Sequence, residues 1–127
     1  AKSLKPKGKS GIMGQLIYKI MDQALWQQFQ TDRISAGSAV DLRDGFIHFS
    51  TGDQVAETAR RHFSGQTDLI LVAVAVEPLD AALRWEPSRQ QDLFPHLYRP
   101  LHWDDRVWHA ALPLTADGHH DFSGLIA

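Results

Sequence analysis

The chain contains no cysteine, which excludes a disulfide framework, a thiolate metal site and a thiol nucleophile. Long apolar runs are missing as well: the longest, residues 69–76 (LILVAVAV), falls far short of the roughly 20 residues that a spanning helix needs. Seven histidines are present, yet no H-E-x-x-H or H-x-H spacing accompanies them, so no metal site is expected. The sequence has no G-x-S-x-G elbow, and its nine scattered glycines form neither a Walker nor a dinucleotide loop. Histidine, carboxylate and hydroxyl groups are what remains for chemistry.

A strong charge of either sign is also lacking. The net charge is −2 over 127 residues, and because four lysines (Lys2, Lys5, Lys7, Lys9) fall in the first fourteen residues, the remainder carries −6. A mildly acidic body is a poor partner for phosphate backbones, and Arg60-Arg61 is its one adjacent basic pair, so no nucleic-acid partner is expected. With 43% hydrophobic and 22% charged residues the chain has the composition of a folding domain rather than of a disordered one. Residues 1–14 read as a basic tail, disordered or left over from expression. Residues 15–127 read as a single α+β domain, for which a cytoplasmic location and no membrane partner are expected.

Residues 15–21 (QLIYKIM) alternate as a strand does, and Asp22 is placed to cap a helix carrying Leu25, Trp26 and Phe29 at helical spacing. Residues 34–45 show little periodicity and read as a polar connection or a flap. Residues 46–50 (FIHFS) read as a strand. Thr51 and Gln54 then occupy capping-box positions for a helix starting at Gly52 and stopping near Ser64. The run at 69–76 is expected to be a central strand covered on both faces. Further strands are expected at 81–86, 93–101 and 107–114, with Pro95, Pro100 and Pro113 pushing their ends toward sheet edges or irregular backbone, and residues 115–127 read as loose. Several strands with two main helices point to α+β, not to a doubly wound sheet.

Three places can carry chemistry. His48 shares a strand face with Phe46 and Ser50, and the helix start after it, at Thr51 and Gly52, offers free backbone N–H groups suited to a phosphate. The plainer alternative is that Ser50 and Thr51 only cap that helix while His48 bonds to a neighbouring loop. His96 and Tyr98 lie on one side of F-P-H-L-Y, an arrangement suited to proton transfer or to recognition of a sugar hydroxyl; a partly buried structural histidine is the alternative. In R-W-E, Trp85 suits a core position better than a ligand platform, and Glu86 is a candidate acid, base or ribose-hydroxyl acceptor.

Together G-F-I-H-F-S-T (45–51), L-R-W-E (83–86) and L-F-P-H-L-Y (93–98) resemble a bacterial family known as domain-of-unknown-function family 952, over almost all of residues 16–114. That family is remotely similar to the ADP-ribosyltransferase fold, a split β-sheet whose cleft holds NAD. The resemblance implies an ADP-ribosyltransferase-like split antiparallel or mixed sheet and a nucleotide-like small-molecule ligand, with NAD as the implied cofactor. It places Lys19 where the first strand of the transferases carries His or Arg for the ribose, and His48 in their second motif. His96 stands where active transferases present a third-motif glutamate, and imidazole lacks the opposite charge that an oxocarbenium-like transition state calls for. Two readings follow: an NAD- or ADP-ribose-directed enzyme using His48, His96 and Glu86, with Lys19, Ser50, Thr51, Gly52, Trp85 and Tyr98 on the ligand, or a non-catalytic small-ligand or protein-binding module. No residue pattern fixes an oligomeric state.

Overall fold

A computed structural model describes residues 14–126, so the expected basic tail lies, apart from Gly14, outside the described residues. Strand β1 (Leu16–Met21) ends at Asp22, whose side chain accepts the backbone N–H of Leu25 and so starts helix α1 (Gln23–Asp32). The helix buries Trp26 and Phe29 and closes on Arg33 in the left-handed region, at φ 65°.

Residues 34–45 are not the featureless connection that their composition suggested. They hold the short strand β2 (Ile34–Ser35) and helix α2 (Ala39–Asp44), which is fixed by a full capping box between Ser38 and Asp41 and closed by Gly45 at φ 87°. Two longer helices and this third, shorter one are therefore present among the described residues.

The single strand expected at residues 46–50 is divided. Strand β3 (Ile47–His48) and strand β4 (Ser50–Thr51) lie in different sheets, and Phe49, almost wholly buried, stands at the crossing. Helix α3 (Val55–His62) starts later than Gly52, because Gln54 turns back to accept the Thr51 N–H while its own N–H meets the Thr51 carbonyl, completing a turn ahead of the helix. Strands β5 (Leu69–Ala75), β6 (Leu83–Pro87), β7 (Leu93–Leu97), β8 (Leu101–His102) and β9 (Arg106–Leu112) follow.

The strands form a four-stranded sheet in the order β4-β1-β5-β9, a three-stranded sheet β3-β7-β6 and a pair β2-β8, all antiparallel. The architecture is α+β. Strand β5 is interior to the larger sheet, and its alternation divides two cores. Val72 and Val74 face one that contains Ile17, Met21, Phe29, Phe49 and Leu97, while Leu69, Leu71 and Ala73 face another with Tyr18, Val55 and Trp108. Phe122, Leu125 and Ile126 pack on that second core, so the C-terminal segment is docked rather than loose.

Pro95 lies in β7, the middle strand of its sheet, against the expectation of an edge. The N–H and C=O of one strand residue point the same way, and the Pro95 carbonyl accepts the N–H of Phe49 at 3.0 Å. The missing donor lies opposite Phe49, one residue past the end of β3, and only the reciprocal bond of that last pair is not made.

Replacing Phe49 by Ala empties the crossing point between the sheets. The expected loss is about 3–5 kcal/mol in urea unfolding, and a loss below about 1 kcal/mol, the level of an unremarkable substitution, would contradict this packing.

Candidate functional site

One face of the three-stranded sheet gathers the polar chemistry. His48 of β3 lies directly opposite His96 of β7, which in turn lies opposite Arg84 of β6. Cross-strand partners share a face, and so do residues two apart on a strand, which adds Glu86 and Tyr98. The two imidazoles stand edge to face with centroids 5.2 Å apart. Phe46 stacks on His96 at 4.2 Å and touches His48 at 4.6 Å and Tyr98 at 5.1 Å.

Each imidazole is held by a carboxylate through Nδ1. Asp41 Oδ1 lies 2.7 Å from His48 Nδ1 and also accepts the His48 backbone N–H at 3.1 Å. Its other oxygen accepts the Ser38 N–H at 2.8 Å and pairs with Lys19 Nζ at 2.9 Å. Lys19 also donates to the His48 carbonyl at 3.1 Å. Both members of the Lys19–Asp41 pair are buried, and Gly37 permits the approach: at φ 99° it has no Cβ to collide with the Asp41 carboxylate. Burial pushes the Asp41 carboxyl upward, but the His48 hydrogen bond, the Lys19 charge and the Ser38 N–H outweigh it and hold the group well below the usual carboxylate range.

The second pair is more open. Glu86 Oε1 lies 2.7 Å from His96 Nδ1, and the Tyr98 hydroxyl donates to both Glu86 oxygens, at 2.8 and 3.1 Å. Bonds from His96 and Tyr98 lower the Glu86 carboxyl, and the same carboxylate raises the Tyr98 phenol. Arg84 rests over the Tyr98 ring at 4.5 Å.

The two rings differ in what is left over. His48 Nε2 is engaged by Asp44 Oδ2 at 3.1 Å, so both of its nitrogens are occupied. His96 Nε2 has no hydrogen-bond partner among the described residues, although the ring as a whole is buried. A carboxylate on Nδ1 accepts its proton and leaves the Nε2 lone pair free to take one from a ligand. The geometry therefore leaves His96 Nε2 able to accept a proton, while His48 is held at both nitrogens beside it.

Lys19, His48, His96, Glu86 and Tyr98 are thus brought together. Ser50, Thr51, Gly52 and Trp85 are not. Ser50 has crossed into the larger sheet and bonds Thr58 Oγ1 at 2.8 Å, and a Cβ at Gly52 would meet Ile126 and Tyr18 of the second core. Thr51 is tied through its backbone to Gln54 in the same turn. Trp85 alternates to the opposite side of β6 from Glu86 and is partly exposed there. His102 and His109 also lie elsewhere, and among the described residues no three His, Asp or Glu side chains are arranged to hold a metal ion.

Asp41 and Asp44 were legible only as loop residues. The signal that finds Asp41 is Ser38-x-x-Asp41, a capping-box spacing, and Asp44 follows it at i+3 on the same helical face.

The Asp41 carboxyl is lowered by folding, so its contribution to stability is complete above the unfolded value of 3.8 and is lost as the pH falls toward the folded one. Asp41→Asn strands Lys19 and is expected to cost about 3–5 kcal/mol at neutral pH. In urea unfolding over a pH series the wild type should lose stability more steeply than the variant below the unfolded value. Parallel acid limbs would contradict the assignment.

The comparisons agree with one another. The family described as Protein of unknown function (DUF952) matches residues 20–109. The crystal structure of protein CC0527 from Caulobacter crescentus is 50% identical, with a TM-score of 0.81 over 84% of this chain and 94% of that one. The solution NMR structure of CC0527 is 48% identical, with a TM-score of 0.80 over 88% and 97% of the two chains. No curated protein matches the chain. Sequence and fold together identify this chain as a member of the DUF952 family.

Proposed function

We propose that the His48/His96 face binds a nucleotide of the NAD or ADP-ribose type and acts at its ribose, on a sheet split in the manner of the ADP-ribosyltransferases. The observation that carries this reading is the direct register of His48 with His96, each ring anchored at Nδ1 by a carboxylate and, among the described residues, only His96 retaining a free Nε2. An imidazole backed by a carboxylate is a general base tuned for a hydroxyl proton. Glu86 also answers the objection raised by a histidine at the third motif: the carboxylate charge is present, one side chain behind the ring, and supports a developing oxocarbenium ion through it.

In the catalytic form of the reading, the bond from ribose C1′ to nicotinamide nitrogen breaks and its electron pair leaves with nicotinamide. A water or acceptor hydroxyl bonds to C1′, and its proton passes to His96 Nε2. Tyr98 holds Glu86 in place. Phe46 presents an aromatic surface of the kind that receives a planar ring, and Arg84 is the cation on this face nearest to hand for phosphate, since Lys19 is committed to Asp41 and Gly52 faces away.

One observation favours a second reading, a binding module without turnover: both nitrogens of His48 are engaged, so among the described residues His96 Nε2 is the one free imidazole nitrogen of this face. Thermal unfolding with NAD or ADP-ribose separates the readings from failure, because a ligand at one hundred times its Kd stabilises by about 2.7 kcal/mol. Stabilisation together with NAD consumption that falls at least about 100-fold in His96→Gln supports the enzyme. Stabilisation with consumption at background in both proteins supports the module. No stabilisation by any nucleotide removes both.

A further inference from the structure

A second polar cluster shares no side chain with the imidazole face. It surrounds Trp103, which follows β8 and packs on Trp26 and Phe29 of α1 at ring distances of 5.4 and 5.1 Å. Two guanidinium groups lie over this one indole, that of Arg106 at 3.7 Å and that of Arg33 at 4.8 Å from its centroid. Neither forms an ion pair with a carboxylate among the described residues. Burial and the Arg33 charge both pull the Arg106 guanidinium down, while the charge of Asp104 opposes them. Two like charges are thus held together in a chain whose net charge is −2.

Stacking on an indole occupies the flat faces of a guanidinium and leaves its in-plane N–H groups at the edge. Arg106 spends Nε on the Trp103 carbonyl at 3.2 Å and one Nη1 hydrogen on His109 Nδ1 at 2.9 Å. Arg33 spends none of its side-chain donors on a described residue. Because arginine only donates, His109 Nδ1 must be the acceptor, which puts the ring proton on Nε2 as a further donor. The backbone joins the pieces: the Trp103 N–H bonds to the Arg33 carbonyl at 2.9 Å, and His109 packs on Trp26 at 4.5 Å.

We propose that Arg33, Arg106 and His109, carried on the Trp103 platform, form a binding site for a phosphate group. Its edge-on donors suit the several oxygens of a tetrahedral dianion better than the two of a carboxylate. The bound anion relieves the repulsion between the two arginines. Free phosphate and a small phosphomonoester present the same group, and the site takes it from either.

The test is a titration of the full chain with inorganic phosphate and, separately, with glycerol phosphate, at constant ionic strength with chloride and acetate as reference anions. Indole N–H and arginine Nε signals in 1H–15N spectra report occupancy. Saturable shifts at Trp103 and Arg33 are expected with phosphate and not with acetate, and whichever phosphate form binds tighter identifies the source. Arg33→Gln, a change at an exposed side chain, should weaken binding at least about tenfold, as loss of one charge-assisted bond predicts. Arg106→Gln should do the same, with unchanged thermal unfolding separating lost binding from lost packing. Arg60→Gln, on α3, should leave binding intact. Shifts no larger with phosphate than with acetate, or an Arg33→Gln protein that binds phosphate as the wild type does, would overturn the proposal.

Discussion

The imidazole face depends on a buried carboxylate. Asp41 accepts four hydrogens at once: the backbone and ring N–H of His48 on one oxygen, and the Ser38 N–H and Lys19 ammonium on the other. These donors belong to three separate stretches of chain, the cap of α2, the strand β3 and the strand β1. An unpaired carboxylate at this depth is strongly disfavoured, so the charge persists only while all three stretches stay in place. The two sheets are joined by apolar packing around Phe49 and, a few residues away, by this ionic knot.

The two carboxylate–imidazole pairs look alike in composition and differ in consequence. Around His48 every polar atom has a partner, and the result is rigidity. Around His96 the carboxylate is partly open to solvent, a phenol shares it, and one ring nitrogen has no partner among the described residues. A face that combines a fixed element with an available one has the division of labour that the proposed ligand site needs: one part sets shape and the other offers a ring nitrogen. The Arg33–Trp103–Arg106 cluster follows a related logic with the opposite charge, using an aromatic surface rather than a counter-ion to hold cations in place.

Much of the scaffold is legible in the sequence wherever one local rule acts without competition. The uninterrupted apolar run at 69–76 marks the interior strand, Asp22 marks the start of α1, and period-two alternation puts His96 and Tyr98 on one side. Reading fails where two rules compete or where partners are distant. Small and polar residues before Asp41 look like a loop, although the same residues compose a capping box. Alternation carried through residues 46–50 puts Ser50 beside His48, but the chain changes sheets at Phe49 and sends Ser50 to the other core. Pairings such as Lys19 with Asp41, or His48 with His96, rest on strand register, which no local pattern encodes. The C-terminal segment has few apolar residues, yet Phe122, Leu125 and Ile126 suffice to dock it on the second core.

The account turns on the claim that the Glu86 carboxylate fixes the His96 ring proton on Nδ1. Nitrogen-15 spectra of the histidine rings read the tautomers directly. The structure predicts the Nδ1–H form for His96, with Nε2 unprotonated. The more common Nε2–H form at His96, or a rapidly averaging mixture, would mean that Glu86 does not hold its imidazole, and the acid–base face would not exist.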